Sequence, residues 1–538
     1  MTAAQTMRQL HDIETLRLER QARLDAAKTQ EERNRLGQFA TPTSLATDIL
    51  AHVRDLLPET VSVRFLDPAF GTGSFYSALM RIFPSDRVAL ATGFEIDPHY
   101  GLEAQRIWKS TALDLRTTDF TRATRPELEE EKYNLIVCNP PYVRHHHIPT
   151  KEKHRLLELA HQSSGTQLNG LAGLYCYFML LCHQWMMEDG LAAWLIPSEF
   201  LDVNYGRQIK HYLLDKVTLL RIHRFQAEDV QFNDATVSSV VVWFRNQQPN
   251  IDHVVDFTYG GSLSVPTATK QVAVSKLASS QKWTRIVAPK SKSIEKSSGS
   301  TSLNVTLGDL FHVKRGIATG ANDFFILGKD QIVAYNLPWE FLTPILPSPR
   351  YLDTDEVLAD EYGNPKLKQQ LFLLNCRLPE QTVRVEQPAL WQYLEIGKAR
   401  SIHQRYLATH RTPWYAQESR PAAPLLCTYM GRQIPGRRRP FRFILNRTMA
   451  TAPNVYLMLY PKPSLAVELN RNRQLLRYIW TALNQLPPQA LISEGRVYGG
   501  GLHKIEPAEL ANAPIHEIEQ LAPDMSRSLG KQLPLFSL

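Results

Sequence analysis

Cysteine is scarce in this sequence: five residues in 538, at Cys138, Cys176, Cys182, Cys376 and Cys427, with no C-x-x-C spacing among them. The scatter excludes a zinc ribbon or a disulfide scaffold and fits a reducing cytoplasm, the compartment expected here. Long apolar runs are also wanting. The longest, 171–187 (LAGLYCYFMLLCHQWMM), carries a His and a Gln and falls short of the ~20 residues that span a bilayer. It predicts a buried helix, and no membrane partner is expected. The first 36 residues carry Arg, Glu and Gln throughout and no apolar stretch, so no secretory signal is expected. The turn DPAFGTG lacks the lysine of a phosphate loop and the full G-x-G-x-x-G spacing. The N-terminal segment holds no P-D…(D/E)-x-K nuclease pattern, so no cleavage activity is expected of this chain. His145, His146 and His147 have no carboxylate or cysteine beside them to complete a ligand set, and no metal is expected.

The chain is too long for one hydrophobic core, which implies two or three domains. Net charge is +8, and its distribution says more than its sum. Residues 401–500 hold 13 Arg and one Lys against Glu418, Glu468 and Glu494, a local net of +11. Arginine in preference to lysine, interleaved with Tyr406, Trp414, Tyr415, Tyr429 and Phe441, points to phosphate and base contact. Within PGRRRPFRF (435–443), Arg437, Arg438, Arg439 and Arg442 are the candidate nucleic-acid contacts, since a guanidinium can bridge guanine O6 and N7 with two parallel bonds. Arg144, with the three histidines after it, is expected on a loop that faces the nucleic acid, or else in solvent.

Along the chain, 7–35 predicts a charged helix with apolar points at Leu10, Ile13 and Leu16, and LGQFATPTSLATDIL a proline-punctuated turn leading into a second helix. From about residue 62 the pattern becomes strand, turn, helix, strand. VRFLD, VALATGFE, YNLIVCN, GLAAWLIPSEFL and VSSVVVWF are apolar strands separated by helical segments, which argues an α/β domain built on a doubly wound, mainly parallel sheet. APKSKSIEKSSGSTS marks a boundary. We divide the chain into a helical extension (1–36), the sheet domain (37–287), a linker (288–302) and a second domain (303–538) whose topology the pattern does not assign.

The strand ends carry the chemistry. Asp67 ends the first strand, Glu95 the second, and Asp119, followed by Phe120, the third. An acid at the first tip repels a pyrophosphate and welcomes a cation, such as the ammonium and sulfonium of S-adenosylmethionine. Gly71 and Gly73 would let backbone approach that ligand, Glu95 would accept from ribose hydroxyls, and Asp119 from the adenine amino group, with Phe120 packing on the base. The next strand runs into Asn139-Pro140-Pro141-Tyr142. A nucleobase amino group is a poor nucleophile because its lone pair is delocalised. Accepting its two N–H hydrogens on the Asn139 amide oxygen and the Pro140 carbonyl would aim the lone pair out of the ring. Prolines hold such acceptors rigidly. Tyr142 would stack on the base, which must first leave its duplex, and Phe232 is the candidate second ring.

GQFATP (37–42), FLDPAFGTGSF (65–75), GFEIDP (93–98), DF (119–120), NLIVCNPPYV (134–143), GLAAWLIPSEFL and FNDATVSSVVV, in that order, resemble the gamma class of DNA amino-methyltransferases (Taq-type, Eco57-like). VKRGIATGANDFFIL and YGGGLHKIEPAELANAPI resemble segments of their recognition domains more loosely. The resemblance implies a seven-stranded, Rossmann-like sheet followed by a mixed DNA-recognition domain. It implies adenine-N6 methylation from S-adenosylmethionine, double-stranded DNA as substrate, and a separate restriction endonuclease as functional partner. A monomer is expected. By motif position it adds Phe39, Thr41 and Pro42, with Ala69 and Ile96, to the cofactor contacts, and it makes Asn139 to Tyr142 the catalytic loop. Cytosine-N4 methylation presents the same geometry, and Asn as first residue of the tetrapeptide favours adenine by analogy. A protein or RNA substrate and a vestigial DNA-binding module are the remaining alternatives.

Overall fold

The computed structural model describes residues 3–203, 205–226, 238–250, 252–280, 282–287, 305–432, 439–492, 494–498 and 502–515. Phe232, Arg437, Arg438 and the segment 288–302 lie outside them. The chain forms two compact units, 1–293 with 498–500, and 294–497 with 501–538.

In the first unit, helices α1 (Ala3–Ala26), α2 (Gln30–Leu36) and α3 (Thr43–Leu56) precede strand β1 (Val63–Asp67). Helix α4 (Ser74–Ile82), β2 (Val88–Phe94), α5 (Pro98–Ile107), β3 (Leu113–Arg116) and β4 (Tyr133–Cys138) follow. Next come α6 (Thr150–Ser164), α7 (Leu174–Leu181), β5 (Met186–Pro197), α8 (Gly206–Asp215), β6 (Thr218–Arg224) and β7 (Ser239–Arg245). Strands β8 (Val254–Gly261) and β9 (Pro266–Ala273) and helix α9 (Val274–Ser279) complete it. The strands form one sheet in the order β3-β2-β1-β4-β5-β7-β6-β8-β9. Strands β3 to β5 pair in parallel, and β7 runs antiparallel between β5 and β6.

Alternation along the strands builds the two faces. In β4, Leu135 and Val137 pack on one side with Phe65 of β1, Leu45 and Ile49 of α3, and Phe75 and Leu79 of α4. Ile136 and Cys138 face the opposite side, with Leu66, Leu156 of α6, Tyr177 of α7 and Leu213 of α8. This is the doubly wound arrangement that near-continuous apolar strands require. Truncating a side chain as buried as Phe65 to Ala would cost about 3–5 kcal/mol.

Three expectations need correction. Among the described residues the sheet has nine strands rather than seven, because the β8–β9 pair extends the edge beyond β6. PTATKQVA is a polar, largely exposed strand, as suits a sheet edge, and it lacks the apolar run that betrays a strand. The apolar stretch 171–187 is not one helix: α7 ends at Leu181, a short 3-10 turn follows, and Met186 already pairs with Tyr133 of β4. Buried helix and buried strand share an unbroken apolar signature, so periodicity does not separate them. The N-terminal segment is two helices, parted at Thr29, whose side chain and Glu32 form a capping box. Its first helix also turns an unexpected face inward. Glu14, Arg17, Gln21 and Leu24 are buried, at helical spacing, while Leu16 and Leu18 are 39% and 47% exposed.

The second unit is mixed. A five-stranded sheet runs in the order Phe311–Arg315, Tyr456–Pro461, Leu425–Thr428, Phe443–Asn446, Glu356–Val357, accompanied by two three-stranded sheets. Its helices pack into separate apolar clusters, one around Phe311, Leu459 and Ile479 and another around Phe324, Phe325 and Tyr393.

Candidate active site

Strand order reverses at β1, which lies between β2 and β4. Such a switch point opens a crevice outside the carboxyl ends of the strands. A cavity of about 830 Å³ lies there, lined among others by Asp67, Gly71, Glu95, Ile96, Asp119 and Asn139.

Asp67 closes β1 and is 1% exposed; its Oδ1 accepts from the backbone N–H of Ala69 at 3.1 Å. Burial pushes its carboxyl up to about 8, against the pull of the Ala69 N–H and with the help of neighbouring Glu95. Glu95 follows β2 and is held at both oxygens, by the N–H of Gly71 and of Asp97, each at 2.8 Å. Burial raises it too. Gly71 sits at φ 57° with open space where a Cβ would stand. Gly73 differs: a Cβ there would meet the Trp108 indole nitrogen at 2.6 Å and the Phe70 ring at 2.7 Å. It is a packing glycine and does not line the cavity, contrary to its expected close approach to a ligand.

Asp119 caps the short turn after β3, accepting at Oδ1 from the Thr121 N–H and hydroxyl and facing Arg122 across 3.3 Å. Phe120 is 3% exposed and packs among Phe94, Phe178 and Trp185, with ring centroids 5.1–5.6 Å away. It reaches the cavity wall with most of its ring covered by these aromatics. Ile96, 63% exposed, lies on the same wall, as does Ala69.

Asn139, just past β4, has the most telling geometry. Its Nδ2 donates to the Phe39 carbonyl at 2.9 Å and to Thr41 Oγ1 at 3.1 Å. A carbonyl can only accept, so this contact fixes which end of the amide is nitrogen. Oδ1 is buried and has no hydrogen-bond partner among the described residues. Phe39 and Thr41 line the cavity, whereas Pro42 serves the backbone, starting α3 and accepting the Ala46 N–H. Pro141 is on the wall; Pro140 is buried behind it. Tyr142 is half-buried, its hydroxyl donating to the Leu195 carbonyl at 3.0 Å and its ring 5.7 Å from Phe39. It does not line the cavity.

Sequence reasoning misses one wall entirely. Gln21, Asp25, Arg35, Leu36 and Gln38 line the cavity from the N-terminal helices and the turn after them. The Thr29–Glu32 capping box and Gly37, left-handed at φ 66°, are the legible traces of that turn. His147, Lys151 and Glu152 are also missed as lining residues.

Of the expected DNA contacts, Arg144 is exposed at the start of the histidine turn, and Arg439 is exposed with one N–H on the Leu486 carbonyl at 3.2 Å. Arg442 is corrected. Its guanidinium is spent inside the second unit, on Asp355 Oδ1 at 2.8 Å and on the carbonyls of Pro349, Leu352 and Thr354. Other arginines of the basic window are similarly engaged: Arg447 and Arg477 share Glu356, Arg411 binds the carbonyls of Ala318 and Thr319, and Arg496 pairs with Glu509. Acids distant in sequence offset a charge that looks unbalanced locally.

Two family descriptions match the chain: the Eco57I restriction-modification methylase over residues 97–231, which include the Asn-Pro-Pro-Tyr loop, and the C-terminal domain of the type II methyltransferase M.Eco57I over 280–533. The type II methyltransferase M.XamI of Xanthomonas campestris pv. amaranthicola is 27% identical over 90% of this chain and 86% of its own length. M.AccI of Acinetobacter calcoaceticus is 26% identical over 89% and 85%. Among solved structures, the type IIL restriction-modification enzyme MmeI in complex with DNA aligns over 92% of this chain and 68% of that one, with 12% identity and a TM-score of 0.48. With these two descriptions covering 97–231 and 280–533, and type II methyltransferases aligned over about nine-tenths of its length, the chain carries the domains of the Eco57I-type methyltransferases of type II restriction-modification systems.

Proposed function

We propose that this chain transfers a methyl group from S-adenosylmethionine to N6 of an adenine turned out of double-stranded DNA, acting as a monomer beside a separate restriction endonuclease. The observation that carries this reading is the unpartnered, buried Oδ1 of Asn139 at a cavity wall, with both hydrogens of the same amide already spent. A buried acceptor without a donor is unfavourable by about 1–3 kcal/mol, so a site that keeps one is arranged for a donor that arrives with the substrate.

The lining fits the cofactor. Buried carboxyls at Asp67 and Glu95 suit a cationic, hydroxyl-rich ligand, and the open space at Gly71 admits it against the backbone. Bound there, S-adenosylmethionine supplies a methyl group activated on a sulfonium. Asp67 would face its ammonium end, Glu95 its ribose and Asp119 its adenine. Phe39, Thr41, Ala69, Ile96 and Phe120 would form the surrounding wall.

Asn139 Oδ1 would then accept one hydrogen of the target amine and the Pro140 carbonyl the other. Both prolines limit the loop to one backbone geometry, and Tyr142, tethered to Leu195, would flank the base. Phe232, outside the described residues, is proposed for the other face. Extruding the base is unfavourable by a few kcal/mol, to be offset by phosphate contacts from Arg144, Arg437, Arg438 and Arg439.

The test is product analysis after reaction of the purified protein with methyl-labelled S-adenosylmethionine and unmodified duplex DNA. N6-methyladenine is expected. N4-methylcytosine alone would retire the adenine assignment, and label in protein or RNA but not DNA would overturn the substrate class. Asn139→Ala should abolish transfer with cofactor binding largely retained; near-normal turnover would remove the amide from the mechanism.

A further inference from the structure

Arg17 and Glu14 lie on the inward face of α1, 1% and 6% exposed. Every donor of Arg17 is used. Nε and one Nη2 hydrogen go to Glu14 at 2.8 and 2.7 Å, the other Nη2 hydrogen to Thr43 Oγ1 at 3.1 Å, and Nη1 to Thr72 Oγ1 and Ser74 Oγ at 3.2 and 3.0 Å. Glu14 in turn accepts from the hydroxyls of Thr43 and Ser77. Burial alone would raise this carboxyl, but Arg17, Ser77 and Thr43 outweigh it and hold it down at about 2. A saturated, buried ion pair on a helix that leaves Leu16 and Leu18 exposed is more than a surface brace requires.

Its connections explain it. Thr72 and Ser74 flank Gly73 in the loop that lines the cavity. Thr43 opens α3, directly after the strap whose Phe39 carbonyl and Thr41 hydroxyl hold the Asn139 amide. From Thr72 a one-way chain of donors runs on into the cavity wall: Thr72 Oγ1 donates to Gln21 Oε1 at 2.6 Å, and Gln21 Nε2 to Asp25 Oδ1 at 2.8 Å. Asp25 also accepts from the Tyr100 hydroxyl at 2.8 Å. The chain thus leads from a cation to an anion with every hydrogen pointing the same way, the arrangement in which hydrogen bonds strengthen one another.

We infer that Arg17, seated by Glu14, is a positioning residue for methyl transfer: it locks the cofactor loop, the strap that orients Asn139 and the Gln21–Asp25 wall into one rigid frame. Arg17 touches neither substrate nor cofactor. Its effect is exerted through Thr72, Ser74 and Thr43, and it rests on the methyl-transfer reading above.

The test compares Glu14→Gln/Arg17→Met, a neutral pair of similar volume, with Thr72→Val, which cuts the donor chain one bond further on, and Thr72→Ser, which keeps it. Four quantities are read: the ligand-free melt, calorimetric Kd for S-adenosylmethionine, duplex DNA affinity, and single-turnover rate at saturating cofactor. The double variant and Thr72→Val are expected to melt cooperatively and bind DNA as wild type does, with Kd raised at least about tenfold, equivalent to ~1.4 kcal/mol, and a slower transfer step. Thr72→Ser should restore both. If Thr72→Val, or a folded double variant, keeps Kd and rate within about twofold of wild type, a change below ~0.5 kcal/mol, Arg17 is only a staple and the inference falls. Should the wild-type protein itself give no heat with S-adenosylmethionine, the cofactor reading beneath it falls first and takes this one with it.

Discussion

A Cβ on Gly37 would stand 2.3 Å from the backbone nitrogen of Tyr142, whose N–H donates to the Gly37 carbonyl at 3.1 Å. The strap and the Asn-Pro-Pro-Tyr loop touch backbone to backbone, and only glycine leaves room. Gly37→Ala adds a left-handed backbone penalty of roughly 1 kcal/mol to a clash that only a shift of Pro141 and Tyr142 relieves. Transfer should fall at least about tenfold, equivalent to ~1.4 kcal/mol of barrier, with a modest loss of Tm. A rate constant equal to wild type in single turnover would show that the loop tolerates the displacement.

Thr41 gives the Asn139 amide one of its two acceptors. Thr41→Val removes it at constant shape and leaves an amide hydrogen unpaired, worth about 1 kcal/mol or somewhat more. Transfer should drop roughly five- to tenfold, with Thr41→Ser close to wild type. Equal rates for the Val and Ser variants would mean that Phe39 alone fixes the amide.

Asp67 sets a pH dependence. Its folded-state value of about 8 lies above the unfolded range, so between about pH 4 and 8 the native state holds a proton that the unfolded chain has lost. This contribution to stability is fully present below about pH 4, declines as pH rises from there towards 8, and is lost above it. A cationic ligand that pairs with the ionised carboxylate reverses the trend for binding. Affinity for S-adenosylmethionine should rise from pH 6 to 8, and near pH 7 binding should release close to one proton, about 0.9 for an isolated group of that pKa. Calorimetry in buffers of different ionisation enthalpy measures this release, which Asp67→Asn should largely remove. Glu95, raised by burial as well, would supply any remainder. Binding without proton release would detach Asp67 from the cation.

Arg442 and Arg439 are three residues apart and should behave oppositely. Arg442→Ala breaks the anchor to Asp355 and three carbonyls and should lower stability by about 2 kcal/mol without changing the salt dependence of DNA binding. Arg439→Ala should leave Tm unchanged and flatten the plot of log affinity against log salt by about one unit. Melting curves and binding isotherms at several salt concentrations separate the two, and a flattened slope for Arg442→Ala would reinstate it as a phosphate contact.

The contrast between those two arginines shows where a sequence is legible. Asp67, Glu95 and Asn139 each follow an apolar run, and a buried strand announces its own end, so the crevice can be drawn from the pattern alone. Arg442 and Arg439 carry the same local signal, and only the acids and carbonyls brought in from residues 349–355 tell them apart. The inward face of α1 is hidden for a related reason. Glu14, Arg17 and Gln21 look like a solvated stripe because the hydroxyls that satisfy them come from residues 43 to 77. Phe120 looks like a platform until Phe94, Phe178 and Trp185 close around it.

Asn139 takes its orientation from Phe39, 100 positions upstream, and from Thr41 beside it, and no covalent feature of the intervening chain enters those contacts. The contacts therefore place no demand on the order in which the two segments are encoded. A rearranged reading frame that encoded the two leading helices and their strap downstream of the sheet could assemble an equivalent pocket, provided the segment still docked beside β4. For such a site the order of segments along the polypeptide matters less than their proximity in the fold.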